Sequence, residues 1–96
     1  MTNTELTSVI IVNFNGGTLL REAVASALAS DIPVEVIVSD NASTDQSIQL
    51  LEEQLGDDER LRIILNKHNY GFSRANNIAL EHASGEFILF MNPDSV

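Results

Sequence analysis

Four short apolar runs alternate with three longer segments whose apolar residues recur every three or four positions. The first run, Ser8-Val9-Ile10-Ile11-Val12, is β-branched and nearly continuous, which predicts a parallel strand covered on both faces. It gives way to Asn13-Phe14-Asn15-Gly16-Gly17, a polar turn containing glycine, and then to Leu19, Leu20, Ala23, Val24, Ala27 and Leu28 at helical spacing. Pro33 precedes a second strand, Val34 to Val38, which stops at Ser39-Asp40-Asn41. Ser43 and Gln46 match a capping box opening a second helix, with Ile48, Leu51 and Leu55 as its stripe. Gly56-Asp57-Asp58 then stops that helix before a third strand, Leu61 to Leu65. A third helical pattern places Phe72, Ala75, Ile78, Ala79 and Ala83 on one side, with Gly85 just past its end. Glu86 to Met91 is a fourth apolar strand, running into Asn92-Pro93-Asp94.

Strands alternating with helices predict an α/β fold with a mainly parallel sheet, flanking helices and right-handed crossovers. Ligands of such sheets bind outside the carboxyl ends of the strands. Those ends carry Asn13 and Asn15, Asp40 and Asn41, Asn66, and Asn92 and Asp94. One rim rich in amides and carboxylates is therefore the place to expect a site.

Composition narrows the function classes. A length of 96 residues with 44% hydrophobic content fits one small domain. There is no cysteine, which excludes disulfides and thiolate metal sites. Met1 to Leu6 lacks a basic and an apolar region, so it reads as a flexible leader without an address, and no run of 18 apolar residues occurs. The cytoplasm is the expected compartment, with the inner face of the membrane open to a longer protein. The net charge is −9, from 14 acidic and 5 basic residues, which argues against nucleic acid as a partner. A chain so acidic would need a divalent cation, manganese or magnesium, to hold a nucleoside diphosphate.

Each candidate motif has two readings. Asp40-Asn41-Ala42-Ser43-Thr44-Asp45 lies between a strand and a helix. It is either a capping turn or a place where Asp40 accepts a hydrogen bond from a nucleobase imide. Asn69 to Asn77 contains Gly71, Phe72, Arg74, Asn76 and Asn77. It is either a solvated helix start or a phosphate and ribose contact. Met91-Asn92-Pro93-Asp94 is either a turn or a site where Asp94 binds a hard cation. No dinucleotide glycine fingerprint or phosphate loop is present. His68 and His82 have no partner at metal-ligand spacing and are expected to face solvent.

Taken in order, Val9 to Asn15, Val38 to Asp45, Asn69 to Phe72 and Gly85 to Asp94 resemble family 2 glycosyltransferases, in particular their rhamnosyltransferase-like branch. The resemblance runs from Thr7 onward. It implies a GT-A fold, Rossmann-like, with strand order 3-2-1-4, truncated after the fourth strand, so that residues 7–96 form its nucleotide-diphospho-sugar-binding half. It implies that Val12, Asn13, Phe14, Asn15, Asp40, Asn41, Ser43, Asp45, Gly71, Phe72, Arg74, Asn76, Asn77 and Asn92 surround the donor and that Asp94 ligates the metal. In this motif the family usually shows two aspartates, whereas Asn92 and Pro93 precede a single Asp94 here.

The function so implied is the donor-binding part of an inverting glycosyltransferase. A sugar, rhamnose or a relative, would move from a uridine or deoxythymidine diphosphate to a glycan or other hydroxyl acceptor. Relatives carry their general base in a later half, so no catalytic residue is expected within these 96 positions and the chain alone should be inactive. The competing reading is a non-catalytic nucleotide-sugar-binding or interaction module. With order 3-2-1-4, Phe87 to Met91 would be an unpaired edge, and a homodimer through it is the matching expectation.

Overall fold

The computed structural model describes residues 5–93. Strands β1 (Thr7–Asn13), β2 (Val34–Asp40), β3 (Leu61–Leu65) and β4 (Phe87–Met91) alternate with helices α1 (Thr18–Leu28), α2 (Ser47–Leu55) and α3 (Phe72–Leu80). All pairings are parallel and the order is β3-β2-β1-β4, the order that the resemblance implies.

The central strands are buried on both faces because each alternate set of side chains meets a helix layer. Val9, Ile11, Val36 and Val38 pack with Leu20, Val24 and Leu28 of α1 and Leu51 of α2. Ile10 and Ile37 point the other way, against Ala79 of α3. The small side chains Ala75 and Ala79 are fully buried, so α3 approaches the sheet closely. Cover is thinner on β4: Met91 packs against the core, whereas Phe87, Leu89 and Phe90 are each more than half exposed.

Two expectations about helix ends are corrected. Ser43 and Gln46 form no capping box: α2 starts at Ser47, and Gln46 makes no side-chain cap. Ser43 is instead bonded back to Asp40 and across to the β1–α1 loop. Helix α3 ends at Leu80 with Glu81 as its cap, so Ala83 and Gly85 lie beyond it. Ala83 still packs against the Ile10 and Ile37 cluster, which explains why it fits the apolar stripe.

Of the expected leader, residues 1–4 lie outside the described residues, while the Leu6 carbonyl accepts a bond from the Phe87 backbone N–H at 3.2 Å. The amino-terminal end of the sheet is fastened by Glu35. Its carboxylate accepts bonds from Ser8 Oγ, the Ser84 backbone N–H and Ser84 Oγ, and Ser8 Oγ in turn accepts from the Gly85 N–H at 2.8 Å. Burial opposes the charge on Glu35, but these bonds and the nearby Arg62 outweigh it and hold its pKa below the ordinary value.

Candidate functional site

At the carboxyl end of the sheet, the loops after β1 and β2 are joined through a buried amide. Asn13 is fully buried, and its Nδ2 donates to Asp40 Oδ1 at 2.8 Å, Ser47 Oγ at 2.9 Å and Ser43 Oγ at 3.1 Å. Two hydrogens serve three acceptors, so one bond is shared. Asn13 Oδ1 accepts from the Gly16 N–H at 3.2 Å. Asp40 is 3% exposed. Its Oδ1 also accepts from Ser43 Oγ, and its Oδ2 accepts from the Ser43 N–H.

A second layer of bonds lies nearer solvent. Asn15 Oδ1 accepts from the backbone N–H groups of Thr44 at 2.8 Å and Asp45 at 3.1 Å, while the Asn15 N–H donates to Ser43 Oγ. Asp45 closes the seam, accepting from the Gly17 N–H through Oδ2 and from Ser47 N–H and Oγ through Oδ1. Desolvation pushes the Asp45 pKa up, yet the bonds from Ser47 and Gly17 together leave it lowered. Both Asn15 and Ala42 take the left-handed conformation, at φ 54° and 59°.

On the other side, Asn41 ties β2 to the loop before α3. Its Nδ2 donates to the Gly71 carbonyl, and its Oδ1 accepts from Asn66 Nδ2 and the Tyr70 N–H. Gly71 needs to be glycine at φ 86°. The Arg74 guanidinium lies 4.3 Å from the centre of the Tyr70 ring.

Between these loops lies a cavity of about 540 Å³. Of the residues singled out in the sequence, Val12, Phe14 and Asn15 line one side, Asn41, Gly71 and Phe72 another, and Asn92 the β4 end. Gly16, Leu19, Asn69 and Pro93 join them. Leu19 had been read only as part of a helical stripe, and its first-turn position on α1 was the signal that it faces the rim. Asn13, Asp40, Ser43 and Asp45 are not on the lining: the first three are bonded to one another beneath it, and Asp45 is turned to Gly17 and Ser47. Asp40, expected to contact an imide, is buried beneath the lining, its Oδ1 accepting from Asn13 and Ser43 and its Oδ2 from the Ser43 N–H. Arg74 is stacked on Tyr70 and is not on the lining either. Asn76 and Asn77 line a neighbouring hollow with Phe72, Ser73 and Phe90. His68 and His82 are exposed as expected, His82 meeting Arg62 at 3.1 Å.

Asp94, the expected metal ligand, lies outside the described residues. Among the described residues, no three His, Cys, Asp or Glu side chains are grouped to hold a metal, and those lining the cavity include no carboxylate. Amides alone are weak ligands for a hard dication, so the described residues do not by themselves make a cation site. Among them, no helix is long and apolar enough to cross a membrane.

The sheet order and the cavity at its rim are those of a GT-A-like α/β domain, and comparison with known structures agrees. A mannosyltransferase from Pyrobaculum calidifontis, solved with GDP-Man and Mn2+, superposes with a TM-score of 0.88 at 26% identity, covering 97% of this chain and 28% of that one. S. aureus TarS in complex with UDP-GlcNAc superposes with a TM-score of 0.83 at 33% identity, covering 98% of this chain and 27% of that one. In sequence, the GalNAc(5)-diNAcBac-PP-undecaprenol beta-1,3-glucosyltransferase of Campylobacter jejuni is 36% identical over 89 residues, which is 91% of this chain and 29% of that protein. The family model for glycosyl transferase family 2 matches residues 8–96, and the chain belongs to that family. Membership is shown at this level and not for a rhamnosyltransferase-like branch, since these relatives are named for other sugars.

Proposed function

We propose that the chain binds the donor of an inverting glycosyltransfer, a nucleoside diphosphate sugar of the uridine or deoxythymidine type, in the cavity between Phe14, Asn41 and Phe72. The observation that carries the proposal is the lining: Phe14, Leu19 and Phe72 offer apolar surface, and Asn15, Asn41, Asn69 and Asn92 are placed around it. Apolar walls with a few placed polar groups, in a volume within the usual range of about 300–1,000 Å³, suit a small-molecule ligand. Exposed Phe14 and Phe72 offer faces on which a base can stack. Asp40 acts at one remove, holding Asn13 and Ser43.

The family and the solved relatives support a donor carrying a nucleoside diphosphate. A divalent cation, manganese or magnesium, would enter through Asp94 and supply positive charge to the departing diphosphate. Rhamnose or a related sugar as the transferred group, and a glycan hydroxyl as the acceptor, follow from the sequence resemblance. Transfer needs a general base to deprotonate that hydroxyl, and no described residue on the lining is one. The proposal includes a partner, a second copy of this chain, supported by the exposure of Phe87, Leu89 and Phe90 on the β4 edge.

Ligand-induced stabilisation tests the donor class, because a ligand that binds only the folded state raises its melting temperature. Uridine and deoxythymidine diphosphates should raise Tm, and adenosine diphosphate should not. Equal shifts with all three, or none with any, would remove the claim.

A further inference from the structure

Asn15 is in an unusual position for a residue on a cavity wall, because half of its side chain is fully committed to the protein. Its Oδ1 accepts from two backbone N–H groups, those of Thr44 and Asp45. Backbone N–H groups only donate, so the atom facing them must be the carbonyl oxygen and the orientation of the amide is fixed by its partners. The backbone of Asn15 is equally constrained: it sits at φ 54° and donates its own N–H to Ser43 Oγ at 2.8 Å. Among the described residues, its Nδ2 makes no hydrogen bond, and Asn15 is an exposed residue on the lining of the cavity.

We infer that Asn15 divides its amide between two tasks, Oδ1 holding the β2–α2 loop and Nδ2 donating to an acceptor oxygen of the bound nucleotide. The inference rests on the nucleotide reading of the cavity and assigns that site a specificity-determining donor. A group pinned on one side loses little rotational freedom on binding, so its hydrogen bond to a ligand is pre-organised. The chemistry on offer is that of a neutral N–H donor, which fits a base carbonyl, a ribose oxygen or a phosphate oxygen. It does not fit a donor on the ligand, such as an imide N–H.

The two tasks come apart by substitution. Asn15→Asp keeps an oxygen for the Thr44 and Asp45 N–H groups and removes the donor, whereas Asn15→Ala removes both. The test is calorimetric titration of both variants and the unsubstituted chain with uridine diphosphate in the presence of manganese chloride, alongside urea unfolding of each. Asn15→Asp should unfold at the same urea concentration as the unsubstituted chain, with Asn15→Ala lower, and should bind uridine diphosphate about tenfold more weakly. That factor should be the same at about 0.05 M and about 0.5 M salt, because loss of a hydrogen bond is not screened and repulsion by a new carboxylate is. Repeating the titration with uridine and its monophosphate identifies the acceptor. A factor that persists with uridine marks a base or ribose oxygen, and one that disappears marks a phosphate, both upholding the donor. Unchanged binding by Asn15→Asp, a loss that vanishes in high salt, or instability equal to that of Asn15→Ala would each overturn the inference. If the unsubstituted chain itself binds no uridine diphosphate, the nucleotide reading fails and takes this inference with it. Binding that Asn15→Asp leaves intact overturns this inference alone.

Discussion

Asn13 and Asp40 face each other as register partners at the ends of β1 and β2, and the Asn13 amide donates to the Asp40 carboxylate across 2.8 Å in the protein interior. Each strand thereby enters its loop from a fixed point. The cavity wall made by Phe14 and Asn15 begins one residue later, so the geometry of this pair is carried directly into the candidate site.

Removing either partner leaves buried polar groups without a bond. Asp40→Ala would leave the Ser43 N–H and the Ser43 hydroxyl without their acceptor, and should cost about 3 kcal/mol of stability; Asn13→Ala should cost about 2 kcal/mol. The double variant should lose less than the sum, since the two share one network. Urea unfolding of the three variants measures this, and full additivity would show that the pair is not coupled.

Acid should destabilise the protein through Glu35 and Asp45. Both are held below their ordinary values of 4.5 and 3.8 in the folded chain. A carboxylate with a depressed folded pKa contributes stability above its unfolded pKa and loses it as pH falls through the folded one. Stability should therefore be level above about pH 5 and fall progressively below 4.5, with Glu35→Gln less stable near neutrality but shallower in its acid dependence. Urea midpoints measured against pH check the sign; a rise on acidification would contradict it.

At the opposite end of the sheet, Gly85 is required by close approach. A Cβ there would stand 2.6 Å from Ser8 Oγ and 2.7 Å from the Leu6 carbonyl oxygen, with the Ser8 nitrogen at 2.8 Å. Two of these three atoms are backbone and cannot turn aside, so Gly85→Ala should cost about 2 kcal/mol. The change lies far along the strands from the cavity, so melting temperature should fall while nucleotide affinity at low temperature is kept.

How much of this was legible in the sequence depends on the range of the interactions. The β-branched run of β1 and the stripe of α1 are local patterns that suffice, with right-handed crossovers, for an α/β fold with a mainly parallel sheet, whereas the order of its strands came from the resemblance to family 2 glycosyltransferases. Ser43 to Gln46 misled because its spacing is that of a helix cap, while Ser43 is held by Asp40, Asn13 and Asn15. Only the last two lie far away in the sequence. The fastening of Ser8, Glu35 and Ser84 joins positions 27 and 49 residues apart and leaves no periodic trace. Among the described residues the polar strand ends do gather at one end of the sheet, yet linear spacing could not separate Asn15, which reaches the cavity, from Asn13, which is buried beneath it.

The β4 edge should mediate self-association. Phe87, Leu89 and Phe90 are 58%, 52% and 52% exposed on a strand that is the sheet's edge among the described residues, the arrangement that invites pairing with another strand. Sedimentation equilibrium on the order of tens of micromolar should show a dimer, and Leu89→Lys should return it to monomer. A monomeric unsubstituted chain at that concentration would contradict the expectation.

The central claim is that the cavity under Phe14 and Phe72 holds a nucleoside diphosphate. Isothermal titration with uridine diphosphate and manganese tests it most directly, run beside Phe14→Ala, which removes an exposed ring from the lining without touching the buried network. Saturable binding weakened about tenfold or more in Phe14→Ala is the predicted result. Absence of binding by a folded chain, or binding that Phe14→Ala leaves unchanged, would contradict the account.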